Sequence, residues 1–420
     1  MNLAASLRNF RKLDWDARVA VATELGQLDS SSQQQLLAHF DERDALLIEN
    51  YLTNYQLPTG LAATIRMNDQ DYLVPMVTEE PSVIAAASYG GKMTSTGAGI
   101  ITSMPTNLLM GQVVFQTVTQ AEVSRFVDPQ VDALLALANA AHPSILTHGG
   151  GAKKIRVRAL GEGFVSVDLF VDTGAAMGAN MMNGMLEALG HHLQDVLEQH
   201  PVMSILTNDG QGSLVTATVT VAVANLAKGN VTAGLQVAKR IVAASDIAQL
   251  DVSRATTHNK GIMNGVDAAV VASGNDWRAV EASAHAYAAH SGQYRGLSRW
   301  SLQDERLEGV LTMPMHLGLV GGATGSLPLA KINQQISQVA SVATLNQLVV
   351  AVGLAQNLAA LRALVSEGIQ QGHMHLQYRN LALVAGATPT QVPQVVDALG
   401  QQATADLAAA KRIVNQLNEQ

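Results

Sequence analysis

Arg254-Ala-Thr-Thr-His-Asn-Lys260-Gly-Ile-Met-Asn264-Gly265 places a guanidinium, an ammonium, amides, hydroxyls and two glycines in one short stretch. Little in it is suited to a core. Glycines beside a lysine let backbone approach a ligand, because no Cβ intervenes, and Asn and Thr side chains can orient that ligand. The apolar run Ala268-Ala-Val-Val-Ala272 separates it from a second polar knot, Gly274-Asn-Asp276-Trp-Arg278. The pattern reads as a strand or buried segment with polar, glycine-bounded ends, a common way to carry a site on a rigid scaffold. Two ordinary turns would give the same spacing.

Working outward, the chain has 420 residues, 48% hydrophobic and only 14% charged, which suits several cores and excludes a disordered chain. A net charge of −8 with no basic run argues against nucleic-acid and anionic-membrane partners. Having no cysteine removes disulfides, thiolate metal sites and a cysteine nucleophile, and fits a reducing compartment. Arg11, Lys12, Asp14 and Asp16 come too early for a signal peptide. No window approaches the ~20 apolar residues of a membrane span. The nearest, from Leu345 to Ile369, is broken by Asn346, Gln347, Gln356, Asn357 and Arg362 and reads as a buried helix. The expectation is a cytoplasmic, globular protein.

The first fifty residues carry helix starts at Asp14-Trp and Ser30-Ser-Ser. Leu61 to Met67 and Tyr72 to Met76 alternate around Asn68-Asp69, as in a hairpin. Glu79-Glu80-Pro81-Ser82 then opens a helix, with Pro81 at its first position. Its paired carboxylates read either as helix-dipole partners or as a proton donor whose protonation is set by burial or a nearby lysine. Tyr89 to Ser103 reads as a glycine-rich loop. From Gln112 the texture turns β-rich, with strands at Gln112–Val118, Lys154–Arg158, Phe164–Val171 and Met203–Leu206. Helices over 130–141 and 179–199 separate them, a split β-α-β pattern.

Gly149-Gly-Gly151 before Lys153 and Lys154, and Gly174-Ala-Ala-Met-Gly178-Ala-Asn180 at a helix start, are open to two readings: turns, or phosphate-binding amides. Neither G-x-G-x-x-G nor a P-loop occurs, which disfavours those nucleotide sites. No H-E-x-x-H or G-x-S-x-G motif occurs either, and His191-His192 lack acidic ligand spacing, so no metal is expected. The residues leave open an enzyme using Lys260, Asp276 and one of the glutamates, or a binding protein with a phosphate-tolerant small domain.

Glu79-Glu80-Pro81-Ser82, Ala176-Met-Gly-Ala-Asn180, His258-Asn-Lys260-Gly-Ile-Met-Asn264-Gly, Gly274-Asn-Asp276-Trp-Arg-Ala, Gly353-Leu-Ala-Gln-Asn357 and Gly372-His373-Met, in this order, resemble class II HMG-CoA reductase, the soluble bacterial form. The resemblance runs from about Arg11 to near the C-terminus. It implies an α+β fold: a large mixed helix/sheet HMG-CoA domain (1–106 and 209–369), an inserted ferredoxin-like dinucleotide domain (107–208) and a helical C-terminal flap (370–420). It further implies active sites at a homodimer interface, or in a higher even oligomer, and reduction of HMG-CoA to mevalonate and coenzyme A by two hydrides. Within it, Lys260 would stabilise the developing oxyanion. Asp276 would hold Lys260, Glu80 would protonate the mevaldehyde oxygen, and His373 would protonate the CoA thiolate. Arg11, Ser82, Arg254, Asn264 and Gln356 would bind substrate; Met177, Gly178, Ala179, Asn180 and Asn208 would meet the cofactor.

Three departures stand out. Ala175 replaces an acidic residue often seen before the A-M-G-A-N block, and Glu49-Asn-Tyr-Leu-Thr replaces Glu-Asn-Val-Ile-Gly. The segment before the triple glycine reads Ala140-Ala-His142-Pro-Ser, without the aspartate of NADH-preferring members. NADPH is therefore expected over NADH, with His142 and Lys153 or Lys154 nearby, and a biosynthetic role in the mevalonate pathway follows. Degradative, NAD-dependent mevalonate oxidation and an inactive thioester-binding relative are the alternatives.

Overall fold

The computed structural model describes residues 3–366, 368–402 and 404–419; the side chains of residues 3–5, 148, 323 and 369–376 lie outside the description. Contacts group residues 1–58 into one compact unit and 59–420 into another. The first holds α1 (Leu3–Arg8), α2 (Trp15–Gly26), α3 (Ser30–Ala38) and α4 (Glu42–Leu47). Asp14, Asp29 and Asp41 each cap the helix that follows through a side-chain oxygen on backbone N–H groups. Trp15 packs on Phe40 with ring centroids 4.3 Å apart, and its indole N–H donates to the Leu52 carbonyl.

The second unit opens with the hairpin β1 (Thr59–Met67) and β2 (Gln70–Val77), turned at Asn68-Asp69, both in the left-handed region. Next comes α5 (Val83–Thr94). It begins two residues later than Pro81 suggests, because Ser82 is left-handed (φ 78°) and breaks the backbone before Val83. It then runs through Gly90-Gly91, where a loop was expected. A Cβ on Gly90 would lie 1.9 Å from the Ala355 carbonyl oxygen. Those glycines serve close helix packing, not a turn.

β3 (Ile101–Ser103) leads into β4 (Leu108–Gln116), α6 (Gln120–Val127), α7 (Val131–Ala141), β5 (Gly151–Gly161), β6 (Phe164–Asp172), α8 (Ala179–Leu197) and β7 (Met203–Leu206). The strands pair antiparallel in the order β5-β6-β4-β7, as a split β-α-β fold requires. α6 was missed in the sequence, although Thr119 and Glu122 form a reciprocal capping box at its start. Alternate residues of β4 and β6, among them Val113, Phe115, Val167 and Leu169, bury against Met182, Leu186 and Leu189 of α8 as a core of their own.

β8 (Leu214–Ala222), α9 (Val231–Leu250), α10 (Val252–Ala272), α11 (Trp277–Ala288), β9 (Ser298–Gln303), β10 (Arg306–Pro314), α12 (Pro328–Ser337) and α13 (Val342–Val365) follow. Their sheet runs β3-β8-β10-β9 and shares one core with α5, α10 and α13. α13 is long and apolar enough to cross a membrane, but Val342 through Ala359 is almost wholly buried inside this core. α14 (Ile369–Val384), α15 (Val392–Gly400) and α16 (Leu407–Asn418) close a third, small core around Tyr378, Val395 and Leu399.

The decisive stretch folds differently from its reading. Residues 252–272 form one uninterrupted helix, capped by Asp251 on the N–H groups of Ser253 and Arg254. Ile262, Met263, Val266, Ala269 and Val270 bury one side, so the supposed strand is the continuation of the same helix. Lys260, Asn264 and Asp267, spaced i, i+4 and i+7, share another side.

Candidate active site

Lys260 projects from the middle of α10 and donates to Glu80 Oε2 at 3.0 Å. Both side chains are substantially exposed (60% and 42%), so the pair stands at an open surface. They border a cavity of ≈ 290 Å³ lined also by Ser82, Arg254, His258, Asn264, Gln356 and Asn357. The predicted residues Glu80, Ser82, Arg254, Lys260, Asn264 and Gln356 thus converge. Three buried polar atoms among the lining residues have no protein hydrogen-bond partner: Arg254 Nε, His258 Nδ1 and Gln356 Oε1. Buried polar atoms are rarely left so, and such a cluster marks a place built to meet a polar ligand.

Sequence reasoning missed the network beneath this cavity. The Trp300 indole N–H and the Ser298 hydroxyl both donate to Asn357 Oδ1, at 2.7 and 2.8 Å. With its proton so committed, Ser298 Oγ must accept from His258 Nε2–H, 2.7 Å away. Asn357 Nδ2 lies 3.3 Å from that same nitrogen, a longer contact than the 2.7 Å to Ser298. Nδ1 is therefore the lone-pair nitrogen. Burial first, then the charge of Arg254, lowers the His258 pKa to about 4, so the ring is neutral. His258 was readable only as part of a motif, because its partners are 40 and more residues away.

Asp276 does not join Lys260 within the chain. A helix rises about 1.5 Å per residue, so Ala272 lies roughly 18 Å along α10 from Lys260, and Asp276 follows only after Ser273-Gly-Asn275. Asp276 instead caps α11, accepting from the Arg278 and Ala279 N–H groups, and its carboxylate lies 3.5 Å from the Arg278 guanidinium. That end of α10 faces the glycine turn before α8. Asn275 exchanges two hydrogen bonds with Gly318 (3.0 and 2.8 Å), and a Cβ on Gly318 would meet Met177 N at 2.3 Å.

At that turn Gly178 (φ 85°) caps α8, leaving Ala179 and Asn180 at a helix N-terminus. Met177 and Asn208 line a narrow crevice of ≈ 30 Å³ with Asp209, Ser283 and His316. His142 caps the end of α7, and a Cβ on Gly184 of α8 would lie 2.4 Å from its Nε2. Lys153 donates to the Gly149 and Gly150 carbonyls at 3.3 and 3.2 Å, bracing the triple-glycine turn. Lys154 lies over the Phe170 ring, 5.5 Å from its centroid, away from α8 and outside this cluster. Arg11 sits on the short 3-10 turn Phe10–Lys12 of the first unit. The backbone of residue 373 is in α14, but the His373 side chain lies outside the described residues. Among the described residues no cluster of His, Asp or Glu is arranged to hold a metal.

The amide-rich start of α8 with its left-handed glycine fits the pyrophosphate of a dinucleotide, and the cationic, partly apolar cavity on α10 fits an acyl thioester carrying a carboxylate. Comparison with known proteins identifies the family. A solved 3-hydroxy-3-methylglutaryl-coenzyme A reductase from Streptococcus pneumoniae is 41% identical and superposes with a TM-score of 0.76, covering 97% of this chain and 99% of that one. A structure of the class II enzyme from the same organism, bound to NADPH in open conformations, is 40% identical with a TM-score of 0.76, over 97% of this chain and 100% of that one. The 3-hydroxy-3-methylglutaryl-coenzyme A reductase of Archaeoglobus fulgidus is 36% identical across 99% of this chain and 95% of its own length. Since the family described as hydroxymethylglutaryl-coenzyme A reductase also matches residues 15–378, the chain belongs to the HMG-CoA reductase family.

Proposed function

We propose that the protein reduces HMG-CoA to mevalonate and free coenzyme A with two equivalents of NADPH, in the cytoplasm, for isoprenoid biosynthesis. The Lys260–Glu80 pair, set at 3.0 Å beside a cavity with three partnerless polar atoms, carries this reading. The large core holds the thioester, residues 107–208 the dinucleotide, and residues 370–420 form the flap.

NADPH supplies the hydrides when bound at the start of α8. Lys260 meets the carbonyl oxygen as negative charge develops on it; a fixed ammonium lowers that barrier because it is already oriented. Glu80, once it carries a proton, delivers it to the aldehyde oxygen in the second reduction, which leaves the carboxylate that the Lys260 ammonium holds by its hydrogen bond. Arg254 and Gln356 anchor the acyl end, and the His258 Nδ1 lone pair accepts from a donor there. By family analogy His373 protonates the departing thiolate, imidazole being a side-chain type that can give up a proton near neutral pH.

A second copy completes the site. Asp276 and the cofactor turn occupy the far end of α10, whereas Lys260 and Glu80 occupy its middle. In a homodimer, Asp276 of one protomer reaches Lys260 of the other and favours its charged form.

The test is absorbance loss of NADPH, and separately of NADH, on mixing with HMG-CoA. Two NADPH consumed per HMG-CoA, with slower turnover of NADH, is the expected result. Equal or faster turnover with NADH overturns the cofactor assignment and favours the degradative direction; no turnover with either overturns the activity.

A further inference from the structure

The stretch Met313-Pro-Met-His316-Leu-Gly318-Leu-Val320 has no part in the mechanism above, yet it grips the cofactor turn. Leu319 N donates to the Ala175 carbonyl at 2.9 Å, and Ala176 bridges Val320. His316 reaches furthest in. Its Nε2 lies 3.1 Å from the Met177 carbonyl and 3.2 Å from Thr173 Oγ1. A carbonyl only accepts, so Nε2 carries the proton and Nδ1 the lone pair; Ser213 Oγ lies 3.1 Å from Nδ1, its one proton shared between that nitrogen and the Leu108 carbonyl, also at 3.1 Å. Thr173 spends its own proton on the Ala176 carbonyl at 2.6 Å. Burial lowers the His316 pKa, which keeps the ring neutral and this polarity fixed.

We propose that His316 is a positioning residue for the dinucleotide: by holding the carbonyl before Gly178 it aims the first amides of α8 at the bound phosphate. The inference rests on reading the Met177–Asn180 turn as the cofactor site. Since Ser213 follows Asn208 closely and immediately precedes β8, the same ring ties that turn to the sheet of the large core. Losing the Nε2 donor frees the turn without touching substrate, so dinucleotide affinity falls while the chemical step, once the cofactor is bound, is preserved.

Two polar replacements separate this from a packing role. Glutamine can offer an amide N–H near the Nε2 position; asparagine is too short to reach Met177. For the full-length protein, NADPH binding by fluorescence titration and the kinetic constants for NADPH and HMG-CoA are measured for His316→Gln and His316→Asn. The expected result is a rise of about tenfold or more in Kd and KM for NADPH in His316→Asn, with kcat and the HMG-CoA KM within about twofold. His316→Gln should recover most of the affinity. Equal NADPH affinity in His316→Asn and the parent, or equal loss in both variants, overturns the inference. Asn180→Ala is the control for the turn itself. If it leaves NADPH binding unchanged, the cofactor-site reading fails; if it weakens binding while His316→Asn does not, only the role of His316 fails.

Discussion

The middle of α10 and its far end differ in how their polar groups are satisfied. Around Lys260, Arg254 Nε, His258 Nδ1 and Gln356 Oε1 lie buried without protein partners. Around the turn before α8, the carbonyls of Ala175, Ala176 and Met177 are accepting from Leu319, Thr173 and His316. One region presents unmet side-chain groups to a ligand; the other is braced so that its backbone amides are presented in a fixed frame. The first selects by side-chain chemistry and the second by backbone geometry, as suits an acyl group and a phosphate.

The contrast can be sharpened by removing one unmet group. Gln356→Leu keeps the volume and deletes Oε1 from the cavity. The KM for HMG-CoA should rise about tenfold, since a ligand donor loses a buried partner worth roughly 1–3 kcal/mol. The melting temperature should hold or increase, because the deleted atom has no partner in the fold. A lower melting temperature with unchanged KM would mean that the residue is structural.

A smaller effect comes from Asp267, on the same side of α10 as Lys260. Burial first, then its hydrogen bond and repulsion with Glu281, raises its pKa to about 8. The folded protein therefore keeps a proton there that the unfolded chain releases near 3.8, the ordinary aspartate value. Between these pH values the folded state binds more protons, so stability falls as pH rises, with a slope of at most about 1.4 kcal/mol per pH unit. Asp267→Asn should flatten the dependence of unfolding free energy on pH from about 5 to 8, measured by urea denaturation. An unchanged slope would mean that Asp267 is not the group that holds the proton.

Much of this was legible in the sequence, for identifiable reasons. The helices of residues 3–47, the hairpin at Asn68-Asp69 and the alternating strands from β4 to β7 are local patterns, and local patterns survive folding. The motif blocks placed Glu80, Lys260, Arg254, Asn264 and Gln356 in one cavity. Glycine misled in both directions. Gly90-Gly91 and Gly261 to Gly265 look like turns but lie within helices, where Gly90 and Gly265 admit α13 at close range. The supports were illegible because they are long-range: His258 with Ser298, and His316 with Thr173 and Met177, are separated by 40 to 143 residues. The pairing of Asp276 with Lys260 followed from the family pattern, and the three turns of α10 beyond Lys260 separate the two within one chain.

That division gives the most direct test. Lys260→Ala and Asp276→Asn are each expected to abolish reduction without unfolding the protein, asparagine being as good a helix cap as aspartate. The two variants are co-expressed with different tags, and the hybrid carrying both is purified. If each site draws Lys260 from one protomer and Asp276 from the other, a hybrid dimer has one doubly altered site and one intact site. It should then recover about half the activity of the unaltered dimer. A hybrid as inactive as its parents would contradict the account.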